Sequence, residues 1–381
     1  MTEAQDYLKS LLRNLRTLRK RHGISAEELE ERLILGPGWI RRFEEGETAP
    51  SIDMLLAMLH ETGSSLDDLL EGVPAYPDVA EIERVIFAEQ AGNDIIIHFR
   101  YAKFDASYTL ANATVDEFEA IIKTLRDGLA RLAVAEAGVS EAIKTDSVAS
   151  AFLKAVEVWP DANPSDLWWF VIYRVYCDPY NHPAQFARLD FTQSWKRTGG
   201  WALEEVLVQH YGPFLRERGV NLFIADGAKK QAIIDRLDVG DRLEADKIDV
   251  MLTDREQETF FGVVHVKSSF AERRTDDVPM STALIGAGYT SPLWTMDCKS
   301  MPSGTPTHRG ELGAVQGRRS AKRRDIEEEG YFTGCFSYNR NTQPSPADLP
   351  PDRRIYVCDF KNPDDAFSEF ILARWQAFEA A

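Results

Sequence analysis

The sequence predicts an α/β fold, a central mixed β-sheet flanked by helices, preceded by an all-α N-terminal unit. Three observations predict it. Up to about residue 73 the chain is a series of short amphipathic segments punctuated by Gly and Pro. Further on, Lys247-Ile248-Asp249-Val250 and Phe261-Gly262-Val263-Val264-His265-Val266-Lys267 form two strand-like runs around a short acidic turn, a hairpin pattern. Around that hairpin, helical segments and apolar runs alternate, as they do in an α/β core with a mixed sheet.

In chain order, Leu8, Leu11, Leu12, Leu15 and Leu18 recur at helical spacing, and His22-Gly23 ends that helix. Ser25-Ala26-Glu27-Glu28 reads as a capping box opening a second helix over 25–34. Gly36-Pro37-Gly38 turns the chain into a third helix with Trp39, Ile40 and Phe43 inward, and Ala49-Pro50-Ser51 opens a fourth that runs to Leu59. Pro74 to Pro77 reads as a linker. Residues 94–101 and 106–110 read as a strand pair and 115–132 as a long helix. Between 140 and about 195 the chain is aromatic-rich and helical, with Trp168, Trp169, Tyr173 and Tyr176 spaced as a buried face. Gly199-Gly200 is expected to precede a helix over 201–215. After the hairpin come a helix at 280–286, strands at 292–299 and 354–360, and a closing helix at 366–378. The expected partition is an all-α domain over 1–73, an intermediate α+β and helical region over 74–194, and the α/β core over 195–381.

The chemistry concentrates in the hairpin. Asp249 and Lys267 stand on antiparallel neighbours, which bring their ends together. A carboxylate is a hard oxygen ligand able to hold Mg²⁺ with waters still attached, and a nearby ammonium neutralises charge developing on a phosphate. A turn-capping aspartate and a surface lysine are the plainer alternatives, but a lysine flanked by Val263, Val264 and Val266 needs a partner. Glu204 and Glu205 lie on an amphipathic helix and read either as a solvated face or as metal ligands. Asp297-Cys298-Lys299 offers a second Asp-X-Lys, ranked below Lys267 because Asp249 is one hairpin away from the latter. Past the lysine, Ser268 leads to Glu272-Arg273-Arg274: guanidinium groups pair with guanine O6 and N7 and a glutamate accepts from cytosine N4, which suits a G/C-containing duplex DNA site.

Two resemblances sharpen this reading. The run from Trp39 to Ser51, with Leu55 and Leu56 beyond it, resembles the helix-turn-helix domain of phage-repressor (XRE) regulators. That likeness implies a recognition helix starting near Pro37, with Trp39, Arg41 and Arg42 as DNA contacts. The stretch from His265 to Pro279 is similar to BsaWI-type restriction endonucleases, within the PD-(D/E)XK nucleases. The similarity continues through Ala287-Gly288-Tyr289, Ser291-Pro292-Leu293-Trp294 and Arg309-Gly310-Glu311-Leu312-Gly313. Relatives that read CCGG carry an acid on the first helix, an aspartate on the second strand and a lysine on the third. On this chain those positions are Glu204 or Glu205, Asp249 and Lys267. The chain departs from the motif at His265, where an acid normally stands two residues before the lysine. Some CCGG-type enzymes recruit that carboxylate from elsewhere, which leaves Glu204, Glu272, Asp276 and Asp277 as candidates. His265 itself reads as a hydrogen-bonding or phosphate-facing residue, since Mg²⁺ prefers oxygen.

Composition sets limits on partners and compartment. A net charge of −17 argues against a protein that coats nucleic acid nonspecifically, unless positive charge is gathered locally, as in Arg318, Arg319, Lys322, Arg323 and Arg324. The 4 cysteines have no paired spacing, and no apolar run reaches membrane-spanning length, so a cytoplasmic protein is expected. The sequence therefore reads as a Mg²⁺-dependent type II restriction endonuclease acting on double-stranded DNA as a homodimer, or as a tetramer. The other class of function it admits is a transcription regulator, with the helix-turn-helix on DNA and the rest sensing a ligand or pairing protomers.

Overall fold

The computed structural model describes residues 3–45, 51–73, 83–101, 104–136, 138–237, 248–269, 274–298, 310–315 and 319–380. They form two compact units, Met1–Glu83 and Arg84–Ala381. The Pro74–Pro77 linker lies outside the described residues.

The first unit is all helical: α1 (Glu3–Arg21), α2 (Ala26–Arg32), α3 (Trp39–Glu44), α4 (Ile52–Glu61) and α5 (Leu66–Leu70). Leu12, Leu15 and Leu18 of α1 close a core with Leu29, Ile40, Phe43 and Met58. The Ser25 hydroxyl accepts from the Glu28 amide at the start of α2, as its sequence announces. The buried Glu30 accepts from the Gly38 and Ile40 amides at 3.0 and 2.9 Å, satisfying the open N-terminus of α3 and fixing its angle to α2.

The second unit opens with an antiparallel meander, β1 (Ile86–Ala91), β2 (Asp94–Tyr101) and β3 (Phe104–Leu110), of which β1 was not anticipated. Then come α6 (Val115–Ala130), α7 (Ser140–Val158), α8 (Pro164–Asp166), a π-helical passage over 167–172 and α9 (Tyr173–Cys177). Trp168, Tyr173 and Tyr176 pack around Trp195 with ring centroids 4.9–5.4 Å apart, which confirms a core role for these aromatics.

Helix α10 (Phe191–Glu217) is longer than expected: it runs straight through Gly199-Gly200, and the 194/195 boundary falls inside it. Gly199 is required by packing. A Cβ there would stand 2.8 Å from the Trp195 indole, so only glycine lets that ring lie against its own helix.

Beyond it are β4 (Val220–Phe223), α11 (Gly227–Leu237), β5 (Val250–Asp254), β6 (Phe260–Lys267), α12 (Arg274–Gly286), β7 (Leu293–Thr295), α13 (Ala321–Glu327), β8 (Cys335–Ser337), β9 (Ile355–Val357) and α14 (Ala366–Glu379). The sheet order is β4-β5-β6-β7-β8-β9, antiparallel through β6 and parallel from β6 onward, hence mixed. All eight residues of β6 are buried, as befits a central strand covered on both faces. Side chains alternate across it. Val264 and Val266 join the core with α10, while Val263 joins the cluster with Met280 and Leu284 of α12. Gly262 meets Thr290 so closely that a Cβ would fall 2.2 Å from its carbonyl oxygen.

Candidate active site

The hairpin register pairs Val250 with Val264, so Asp249 sits at the entry to β5 and not, as the sequence suggested, at a strand's end. Its position is still the useful one. With the ladder finished, the Asp249 carboxylate crosses to β6: Oδ2 accepts from the Val266 amide at 2.8 Å and from Lys267 Nζ at 2.7 Å. On the other side of the ammonium, Asp277 Oδ1 of α12 stands 3.2 Å from Lys267 Nζ. All three side chains are buried, at 8%, 8% and 1% exposure for Lys267, Asp249 and Asp277. Burial alone disfavours the ammonium, but the two carboxylates outweigh it and hold Lys267 above its ordinary value. The lysine is therefore a fixed cation at neutral pH, suited to charge stabilisation and not to accepting a proton.

Asp277 bears on the departure at His265. Among the described candidates for the missing acid, it is the one that stands against Lys267, ten residues further along the chain. Glu272 and Arg273 lie outside the described residues, as do the side chains of Arg274 and Asp276. Glu204 is buried on α10, a helix that packs against β4 and β6, and Glu205 accepts from Gln209 at 2.9 Å. Among the described residues no group of three or more His, Cys, Asp and Glu side chains is gathered for a metal. The hard-oxygen pair Asp249 and Asp277 nonetheless suits Mg²⁺, which is commonly held by one or two carboxylates with waters and substrate phosphate completing its shell.

His265 is fully buried and points to the α12 side. Its Nε2 lies 2.9 Å from Ser291 Oγ, and burial pushes its pKa down to about 4, so the ring is neutral. Ser268 is half-buried, and its carbonyl accepts from the Cys298 amide at 2.9 Å.

The competing Asp297-Cys298-Lys299 motif has another job. Asp297 Oδ1 accepts from the Glu311 and Leu312 amides at 2.6 and 3.0 Å, and Oδ2 from Thr342 Oγ1 at 2.6 Å. It ties together the loops beyond β7 and β8, and Lys299 lies outside the described residues. Nor is the basic run a free positive patch. Arg323 is fully buried and pairs with Glu327 at 2.6 Å, Lys322 pairs with Glu311, Arg319 pairs with Glu327 and Glu328, Arg324 is exposed, and Arg318 lies outside the described residues.

In the N-terminal unit, Trp39 is half-buried and stacks on Phe43 at 5.6 Å, leaving Arg41 and Arg42 exposed on α3. Arg41 pairs with the equally exposed Glu27.

Residues 15–69 match the helix-turn-helix family. Over 239 residues, 60% of this chain and 84% of the relative, the sequence is 41% identical to the type II restriction enzyme AgeI of Thalassovita gelatinovora. The crystal structure of specific restriction endonuclease AgeI in complex with DNA superposes with a TM-score of 0.62 at 36% identity, covering 73% of this chain and 99% of that one. The pre-specific BsaWI–DNA complex aligns at 18% identity over 69% of this chain and 93% of that one, with a TM-score of 0.32, too low to inform the fold.

Proposed function

The chain belongs to the type II restriction endonucleases, and from that premise we propose that it cuts both strands of duplex DNA at a short, G/C-containing palindromic site, with Mg²⁺ at Asp249 and Asp277. The observation that carries this reading is the burial of two carboxylates around one ammonium at the end of β6. Two hard carboxylates gathered in a low-dielectric site are donors that a divalent cation would take up beside the substrate phosphodiester. Mg²⁺ held there would supply charge neutralisation at the phosphate and a more acidic water. The protein's own part is positional. Asp249 is locked by the Val266 amide, so its free oxygen has a fixed direction, and Lys267 is held as an ammonium beside the developing phosphate charge. Glu204, buried on α10, is the carboxylate that the family likeness offers as a further ligand.

A palindromic site implies a two-fold assembly, so a homodimer is the expected state and a tetramer the alternative. The cytoplasm, where incoming DNA is met, is the expected compartment; among the described residues no helix is long and apolar enough to cross a membrane. Base reading falls to Glu272, Arg273 and Arg274, with Ser268 at the strand exit, and Arg41 and Arg42 of the helix-turn-helix add contacts to flanking DNA.

Incubating the protein with phage DNA and Mg²⁺ and sequencing the fragment ends tests this directly. Discrete ends at one short sequence, lost in Lys267→Ala, are expected. Operator-like binding without cleavage would instead favour a regulator.

A further inference from the structure

Moving the second carboxylate from strand to helix creates a mechanical requirement. Asp277 reaches Lys267 only if α12 is docked on β6 in one register, and Pro279 within that helix removes a backbone donor just past the carboxylate. A buried polar chain spans the same two elements. His265 Nε2 on β6 lies 2.9 Å from Ser291 Oγ, and Ser291 Oγ lies 2.8 Å from Ser281 Oγ on α12. The Ser291 amide is fixed in turn by Thr333 Oγ1 at 2.8 Å. His265, Ser281 and Ser291 are all fully buried.

The spacing at each end is what gives this chain its meaning. His265 stands two residues before Lys267, on the same face of the strand. Ser281 stands four residues after Asp277, on the same face of the helix. Each end of the relay is thus a same-face neighbour of one member of the Lys267–Asp277 pair. Among the described residues α12 also meets β6 through Met280 and Leu284 with Val263, and apolar contacts set a distance but little register. The Nδ1 atom of His265 makes no hydrogen bond, so the bond to Ser291 is the ring's polar anchor among the described residues.

We propose that His265, Ser291 and Ser281 are positioning residues for the catalytic pair: at the place where an acid would stand, this enzyme carries a buried histidine that fixes the register of the helix delivering Asp277. This rests on the reading of Asp277 as the second catalytic carboxylate.

Ser281→Ala cuts the relay at the helix and leaves Ser291 bonded to His265; His265→Leu cuts it at the strand, and His265→Gln retains a group at the Nε2 position. Expected for Ser281→Ala is a single-turnover cleavage rate lower by about tenfold, the scale of a small misplacement of a reacting group. DNA affinity should stay within about twofold and the melting temperature near wild type, because no DNA contact and little apolar area is lost. Mn²⁺ binding to the DNA-free protein, followed by calorimetry, should weaken in Ser281→Ala and His265→Leu and recover in His265→Gln. Wild-type cleavage and Mn²⁺ affinity in Ser281→Ala overturn the proposal, as does a loss of rate matched by equal loss of DNA binding. Asp277→Asn separates the two claims: its wild-type activity would remove the reading of Asp277 itself, whereas an inactive Asp277→Asn beside an unaffected Ser281→Ala removes only the relay.

Discussion

Lys267→Met replaces the buried ammonium by an apolar chain of similar length, so it removes the charge while leaving no cavity of consequence. Two carboxylates then lose the ammonium that both of them meet at the end of β6, Asp249 at 8% and Asp277 at 1% side-chain exposure. Removing one partner of a buried ion pair typically costs about 3–5 kcal/mol. For a unit of this size such a loss lowers the melting temperature by roughly 10 °C. Cleavage should fall further than stability explains. Losing a preorganised charge donor at the transition state costs about 10²–10³ in rate. A divalent cation can partly replace the lost charge, so Mg²⁺ should raise the melting temperature of Lys267→Met more than that of the wild type. Thermal melts with and without Mg²⁺, and single-turnover cleavage at a temperature where both proteins are folded, make the comparison. Cleavage within about tenfold of wild type, or Mg²⁺ stabilising both proteins equally, would refute the assignment of Lys267 as the cation between two metal-facing carboxylates.

Three further outcomes follow from particular contacts. His265 titrates near 4 when folded against an ordinary 6.5, so the unfolded chain takes up a proton that the folded one refuses, and stability falls as pH drops through that window. His265→Gln should flatten the stability profile there, by up to about 3 kcal/mol across the window in urea titrations, with little change above pH 7. Arg323→Met should destabilise the protein by about 3 kcal/mol, because it takes from the buried Glu327 its fully buried cation and from the Leu312 and Gln343 carbonyls a donor; an unchanged urea midpoint would contradict the structural role given to this arginine. Arg41→Ala combined with Arg42→Ala should weaken DNA binding across sequences and reduce its salt dependence by about one to two phosphate contacts, while leaving the cleaved sequence unchanged in end-sequencing.

The parts of this molecule that were legible in the sequence are those where local pattern and burial agree. The β5–β6 hairpin with Asp249 and Lys267, the leucine-rich helices of the first unit and the closing helix α14 all carry their periodicity in the residues themselves. Helix α10 was misread because two consecutive glycines ordinarily mark a break; here one of them makes room for the Trp195 indole, and the surrounding aromatic packing outweighs the intrinsic cost. Similarly, the helix expected over 280–286 begins at Arg274 and carries Pro279 inside it. That shift hid the phase of Asp277, whose place beside Lys267 shows only once α12 is seen against β6. The serines at 281 and 291 gave no signal at all, since a buried hydroxyl has meaning only through its partners.

Asp249→Asn and Asp277→Asn, each assayed for single-turnover cleavage of duplex DNA and, in parallel, for DNA binding without metal, test the catalytic assignment most directly. Both should bind DNA about as well as the wild type and lose cleavage by two orders of magnitude or more, about the scale for a lost electrostatic contact at the transition state. Cleavage retained in either variant would place the metal site elsewhere in the chain.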